Sequence, residues 1–171
     1  YLSSAASFKQ SIGIMMELSL NELLCTPQAG VEREEILKSW SWLTTDLPVL
    51  FTAMGDVFVQ AEDARVSLLD VTAGDLTEVA KNGEEFQQIL TDSDFLTEKF
   101  YADAVANYRK IGKRLNPGKC YGYKKALVFG GDDKVHNLKI YNIEDYLKLM
   151  GEIHEKIKDL PEQSEVEIDL D

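Results

Sequence analysis

The sequence has few of the residues on which disulfide frameworks and metal centres depend. Its 171 residues include two cysteines, Cys25 and Cys120, and two histidines, His136 and His154. Two cysteines are too few for a disulfide framework, and we expect both to be free thiols in a reducing cytosol. Two histidines are too few for a histidine-rich metal site. Because no local motif pairs a cysteine with a histidine, we interpret all four side chains as structural.

Long hydrophobic runs are also missing. No stretch of about 18 apolar residues occurs, so the sequence predicts no membrane span. Residues 12–24 are rich in apolar side chains but are interrupted by Glu17, Asn21 and Glu22. Because no basic segment precedes this stretch, we expect no signal peptide and a cytoplasmic location. The hydrophobic fraction of 44% is typical of a globular protein, and the length fits one domain over residues 1–171.

Basic residues are fewer than acidic residues. The chain has 18 Lys and Arg against 30 Asp and Glu, a net charge of −12. The excess acid lies mainly in residues 1–90, where five basic residues face fourteen acidic ones. Such a chain is repelled by nucleic acid and attracted to basic partners, although acidity also serves solubility alone.

Helical periodicity and capping residues predict five helices. Asn82, Asp94 and Asn142 are the expected N-caps of the last three, and Asn116-Pro117-Gly118 ends the fourth. The predicted helices cover residues 5–25, 31–42, 84–90, 95–115 and 143–158.

Short apolar runs separated by turn residues predict strands. The first three form an antiparallel meander, because their connections are short. The next two form a hairpin around the turn 130–133, and a last one has an acidic face. These strands cover 48–53 with 57–59, 65–70, 76–80, 126–129, 135–141 and 166–170.

The order of these elements indicates an α+β fold, with helices on one face of a mainly antiparallel sheet. We expect a single domain, with a helical lead-in over 1–45 and the sheet and its helices over 46–171. No internal repeat or long linker divides the chain.

Acidic residues at strand ends and turns are the candidates for chemistry. Asp56, Asp70 and Asp132 are residues that a small metal-dependent enzyme would use, since carboxylates serve acid–base work and bind cations. However, their spacing matches no calcium loop, and Gly130-Gly131 lacks the lysine of a phosphate-binding loop. Turn capping is the favoured interpretation, so we predict no catalytic residue, metal or cofactor.

One segment of this acidic chain is strongly basic. Residues 109–125 contain seven basic side chains and no acid, with interleaved tyrosines that would stack on bases. Cations also suit the end of a helix, and the net charge opposes the approach of nucleic acid. We therefore expect no direct nucleic-acid binding.

Several segments, in this order and spacing, resemble a known family. Residues 51–59 resemble its strand–turn–strand element around Gly-Asp, and Asn137-Leu138 its closing strand. The other matching segments are 70–74, 118–123, 126–131 and 151–161. Together they are similar to the C-terminal domain of bacterial type VI secretion immunity proteins, often joined to a GAD-like domain. The resemblance spans about residues 35–170, and the SMI1/KNR4-like immunity superfamily, a class of regulatory binding modules, is a second resemblance.

The resemblance implies a role without a reaction. Such proteins bind a toxin that is injected between competing bacteria, commonly a DNase, and the family supplies no catalytic residues. An acidic partner would occupy the basic groove of a nuclease, helped by buried aromatic anchors. The candidate partner-binding residues are the turn acids Glu62, Asp63, Asp75, Asp132 and Asp133, with Tyr121 and Tyr123 as anchors.

Overall fold

The structure is a computed structural model that describes residues 18–161. The predicted strand at 166–170 and most of the first predicted helix lie outside the described residues. Within them, Leu20–Leu23 is a 3-10 turn and Leu24–Cys25 is a strand, β1. The helix prediction is therefore wrong from residue 20 onward. Leu24 and Cys25 pair with Thr52 and Phe51, and this pairing outweighs the local helical pattern.

A five-stranded antiparallel sheet follows the order of the chain. Its other members are β2 (Leu47–Thr52), β3 (Val57–Gln60), β4 (Val66–Asp70) and β5 (Asp75–Ala80). Each pairs with the next one, which confirms the predicted meander. The turn at Gly55 needs a positive φ, here 88°, and glycine adopts it without steric cost.

Two hydrophobic clusters cover the two faces of this sheet. Val57, Val59 and Leu69 belong to one cluster, whereas Phe58 and Leu68 belong to the other. This alternation follows from the two-residue period of a strand. Because helices pack on both faces, the fold is α+β as predicted, but the expectation of helices on one face is wrong.

The predicted helix at 31–42 is shorter and broken. Helix α1 covers Arg33–Ile36, and a 3-10 turn covers Lys38–Trp40. Ile36, Leu37 and Trp40 are buried, while Val31 is 38% exposed.

Three helices cover the face that carries Phe58. They are α2 (Gly83–Ile89), α3 (Ser93–Lys99) and α4 (Ala102–Lys110). The Asn82 cap is confirmed, since its side chain accepts the Glu85 N–H at 2.9 Å. The single helix predicted at 95–115 is instead two. Tyr101 separates them with a φ of 52°, and Asp92 rather than Asp94 caps the first.

A second, two-stranded sheet replaces the predicted hairpin around Gly130-Gly131. Its strands are β6 (Lys119–Tyr123) and β7 (Leu138–Asn142), and they pair antiparallel. The predicted strand at 126–129 is a 3-10 turn, Leu127–Phe129, and another covers Val135–Asn137. A Cβ on Gly131 would lie 2.0 Å from the Lys125 carbonyl oxygen, so the backbone of Lys125 passes too close to residue 131 for any side chain there.

The last described helix, α5 (Ile143–Ile157), packs on the face that carries Val57. Asn142 caps it as predicted, accepting the N–H groups of Glu144 and Asp145. Trp40 Nε1 donates to the Leu147 carbonyl at 2.9 Å, which ties the helix to the N-terminal segment. Within residues 18–161, no helix has the length and apolar character that crossing a membrane requires.

Replacing Gly151 by alanine is expected to destabilise the protein, although alanine favours helix by about 1 kcal/mol. The new Cβ would lie 2.4 Å from Ser39 Oγ and 2.7 Å from Ser39 O, and overpacking costs roughly 1–3 kcal/mol. We expect a net loss near 1 kcal/mol in urea unfolding. Lys148→Ala, on the exposed face of the same helix, is the control and should change stability by less than about 0.5 kcal/mol. A Gly151→Ala variant as stable as the parent would contradict this packing.

Candidate functional site

An acidic cleft opens beside β4 and β5. It has a volume of about 370 Å³, and Asp56, Asp70, Asp75 and Glu98 line it together with Tyr101. Asp56 lies in the turn between β2 and β3, whereas Asp70 and Asp75 flank the turn between β4 and β5. The meander thus brings together three carboxylates, of which Asp56 and Asp75 are 19 residues apart in the chain, and Glu98 joins them from α3.

Asp56 is the most unusual group in this cleft. It is 3% exposed, and its Oδ1 accepts the Val71 N–H at 2.9 Å. Burial raises the pKa of the Asp56 carboxyl well above its ordinary value, and the neighbouring Asp70 carboxylate adds to the rise. The turn that follows Asp70 is therefore anchored by a side chain that resists ionisation.

His154 holds the same turn from the other side. Its Nε2 lies 3.2 Å from the Val71 carbonyl, and its ring lies against Trp40 with centroids 5.6 Å apart. Gly74, with a φ of 74°, leaves room for this ring, since a Cβ there would lie 2.3 Å from His154 Nδ1. Burial lowers the pKa of His154. The charged neighbours Glu152, Glu155 and Lys156 gave no sign in the sequence that the His154 ring is buried.

Replacing Asp56 by asparagine is expected to give a pH-dependent change in stability. Because the folded-state pKa of Asp56 is raised, its contribution to stability is present at low pH and is lost as pH rises through that pKa. The amide can keep the Val71 hydrogen bond without ionising. The free energy of unfolding in urea should therefore be higher for Asp56→Asn than for the parent. We expect the difference to be about 1 kcal/mol or more at roughly pH 8 and smaller at about pH 5.

His154→Gln is the companion variant. The folded-state pKa of His154 is lowered, so its contribution is lost as pH falls below about 6.5, the opposite direction. An Asp56→Asn effect that is the same at every pH would show that Asp56 has an ordinary pKa.

The acidic cleft unites only part of the predicted enzyme set. Asp56 and Asp70 line it, while Asp132 does not. Across residues 18–161, no three His, Cys, Asp or Glu side chains are placed to hold a metal ion. Both cysteines are buried and free, and burial raises the pKa of Cys25 to about 12.

A larger groove lies at the start of β2. Its volume is about 1090 Å³, and apolar and acidic side chains line it together. Two of the predicted partner-binding acids, Glu62 and Asp63, belong to it. Asp63 forms an ion pair with Arg65 at 2.6 Å, and hydrogen bonds from Arg65 lower the pKa of Asp63. Of the other candidates, Asp75 lies in the acidic cleft.

Asp132 and Asp133 lie in the loop between the last two 3-10 turns. Asp132 is paired with His136 at 3.0 Å, and Asp133 with Lys134 at 3.3 Å. Asn137 Nδ2 holds the loop by donating to the carbonyl of Asp132 at 2.7 Å. Both acids are exposed, and the Lys134 ammonium offsets part of the charge of Asp133.

The two tyrosines occupy different environments. Tyr121 is 1% exposed, its ring packs against Tyr108, and its hydroxyl donates to the Lys113 carbonyl. Tyr121 is therefore part of the core in the free protein, and its role as a partner-binding anchor stays a prediction. Tyr123 is half-buried, and burial raises its pKa.

Four large hydrophobic side chains that line the cleft or the groove were not predicted as candidate contact residues. They are exposed, which no local sequence pattern indicated, and they are Val31, Leu47, Val49 and Tyr101.

The basic segment at 109–125 has structural partners. Arg109 forms a half-buried ion pair with Glu22 at 2.6 Å, and Lys124 Nζ donates to the His136 carbonyl at 2.7 Å. Tyr108 and Tyr121, which could have stacked on bases, are in the core.

Comparison with known proteins points to one family. Residues 80–154 match the family described as "T6SS immunity protein Tdi1, C-terminal". No curated protein matches the chain. A solved structure titled "Crystal structure of Atu4351 from Agrobacterium tumefaciens" is 15% identical, with a TM-score of 0.45 over 69% of this chain. The match spans 60% of that protein's length. The resemblance to type VI secretion immunity proteins is thereby confirmed, with residues 80–154 corresponding to the C-terminal region of that family.

Proposed function

We propose that this chain is a cytoplasmic immunity protein that binds a cognate type VI secretion effector, a DNase, and neutralises it in the producing cell. The observation that carries the proposal is the family match over residues 80–154. That region includes α2 to α5 and the β6–β7 sheet, so it contributes to both hydrophobic clusters. An immunity protein acts by binding, and we assign no reaction to it.

Charge supports a basic partner. The net charge of −12 gives the protein a negative field, and a DNase must present a basic surface to hold DNA. Occupation of that surface by an acidic protein excludes DNA directly. The same field accelerates encounter, which favours neutralisation before the toxin reaches the chromosome.

Growth rescue tests this proposal. The effector gene beside the gene for this chain is expressed from an inducible promoter, alone or together with the chain. We expect growth arrest with the effector alone, and rescue with an equimolar complex on gel filtration when both are present. A noncognate effector of the same reaction class is the control. Continued arrest, with no complex, would refute the immunity role.

The alternative function predicted from the sequence, a small metal-dependent enzyme, would have to use the acidic cleft. Asp56, Asp70 and Asp75 share this cleft, but among residues 18–161 no three acidic, histidine or cysteine side chains are placed to hold a metal ion. Thermal shift with Ca²⁺ or Mn²⁺ discriminates between the two functions. A metal-dependent rise in melting temperature that is lost in Asp70→Asn would favour the enzyme, whereas an immunity protein should show no such rise.

A further inference from the structure

The groove at the start of β2 has the properties of an interaction surface. It is lined by apolar side chains that are unusually exposed: Leu47 at 52%, Val49 at 38% and Val31 at 38%. These three are among the nine large hydrophobic side chains that are exposed within residues 18–161. A contiguous exposed apolar surface with a polar rim is typical of a contact site for another protein.

The backbone of β2 is open along the same groove. β1 pairs with β2 only at Phe51 and Thr52, so the segment from Leu47 to Leu50 has no strand on that side among residues 18–161. An edge of this kind offers free backbone groups to an incoming extended segment. Pro48 removes one donor, which limits strand addition between copies of the chain. The edge is thus available to a short segment rather than to a long strand.

The rim of the groove is acidic. Its carboxylates outnumber its cations among the lining side chains that the structure describes, and they are Glu32, Glu34, Asp46, Glu62 and Asp63. The cation among them, Arg65, is already held by Asp63 at 2.6 Å and Glu78 at 3.4 Å. The groove therefore has a negative rim around an apolar floor.

From these observations we infer that the groove binds an extended basic segment of the effector, with an apolar side chain on the floor and Lys or Arg side chains against the rim. The inference rests on the proposed immunity function and names its surface. The apolar floor supplies the desolvated contact that holds a complex together. The acidic rim selects the charge of the segment and steers it to the floor.

Charge reversal tests the rim. The double variant Asp46→Lys/Glu62→Lys is compared with Glu155→Lys/Asp159→Lys, which makes the same charge change at exposed positions of the C-terminal helix region. Binding to the purified, catalytically inactive effector is measured by surface plasmon resonance. We expect the rim variant to lose about tenfold or more in affinity, mainly through the association rate, and the control to lose less than about threefold.

Truncation tests the floor. Leu47→Ser/Val49→Ser should increase the dissociation rate by roughly tenfold, with little change in association rate, because apolar contact acts after encounter. Circular dichroism melting checks that each variant is folded.

The outcomes separate the two proposals. If the parent protein fails to bind the effector, the immunity role fails. If the parent binds and the rim and floor variants bind equally well, only the groove assignment is overturned. Loss of binding in Asp132→Lys/Asp133→Lys alone would move the contact to that loop. A groove-dependent dimer of the free protein, detected by light scattering, would also overturn the assignment.

Discussion

Trp40→Ala is expected to lower the free energy of unfolding by about 3–5 kcal/mol, since fully buried tryptophans give losses of this size. Trp40 is 0% exposed, and its indole N–H donates to the Leu147 carbonyl at 2.9 Å. The variant loses the packing between the 38–40 turn and α5 and leaves that carbonyl with Ser39 Oγ as its side-chain donor. Urea unfolding followed by far-UV circular dichroism measures the loss.

Trp42→Ala is the matched control. The ring of Trp42 lies 5.9 Å from that of Trp40 but is only partly buried, and its Nε1 has no hydrogen-bond partner among the described residues. Removing it costs packing but no hydrogen bond, so the loss should be about half that of Trp40→Ala or less. Equal losses for the two variants would mean that the Leu147 contact contributes nothing.

The association rate with the effector is expected to fall at least about tenfold between roughly 0.05 and 0.5 M NaCl. The physical reason is the net charge of −12 on this chain, which a basic effector would meet with opposite sign. Because salt screens long-range attraction more than short apolar contact, the dissociation rate should change much less. Stopped-flow measurement of both rates across the salt series provides the test.

The Asp46→Lys/Glu62→Lys variant supplies the internal control for that series. Its association rate should depend less steeply on salt than that of the parent, because the rim contributes to the steering field. A parent rate that varies less than about twofold across the series would show that charge does not drive encounter.

The meander could be predicted because its signals are local. Each strand is a short apolar run, and Gly55, Glu62-Asp63 and Gly74 mark the turns between them. The N-caps Asn82 and Asn142 were equally local, since a cap acts within three residues. Sequential pairing then leaves few alternative topologies.

The wrong secondary-structure predictions lie where contacts between residues distant in the chain determine the local structure. The strand β6 was not predicted, because its partner, β7, lies 15 or more residues away in the chain. The helix break at Tyr101 could not be predicted, because no glycine or proline lies near this position in the sequence. The helix expected through residue 25 gives way to the pairing of Leu24 and Cys25 with β2. In each case tertiary packing overrides local propensity.

The proposed contact groove could be predicted only in part. The turn acids Glu62 and Asp63 were identified from sequence, because charged turn residues are exposed as a rule. The apolar floor was not, since Val31, Leu47 and Val49 look like ordinary core residues in a pattern. Leu47 and Val49 lie where β2 has β3 as its strand partner on one side only, since β1 pairs with Phe51 and Thr52.

The central claim is that this chain neutralises a nuclease by direct binding. Its sharpest test is a DNA cleavage assay with the purified cognate effector, titrated with the purified chain. The account predicts that cleavage falls linearly with added protein and stops at one molecule of the chain per effector molecule. Full cleavage in the presence of an equimolar, stable complex, or at a large excess of the chain, would contradict it.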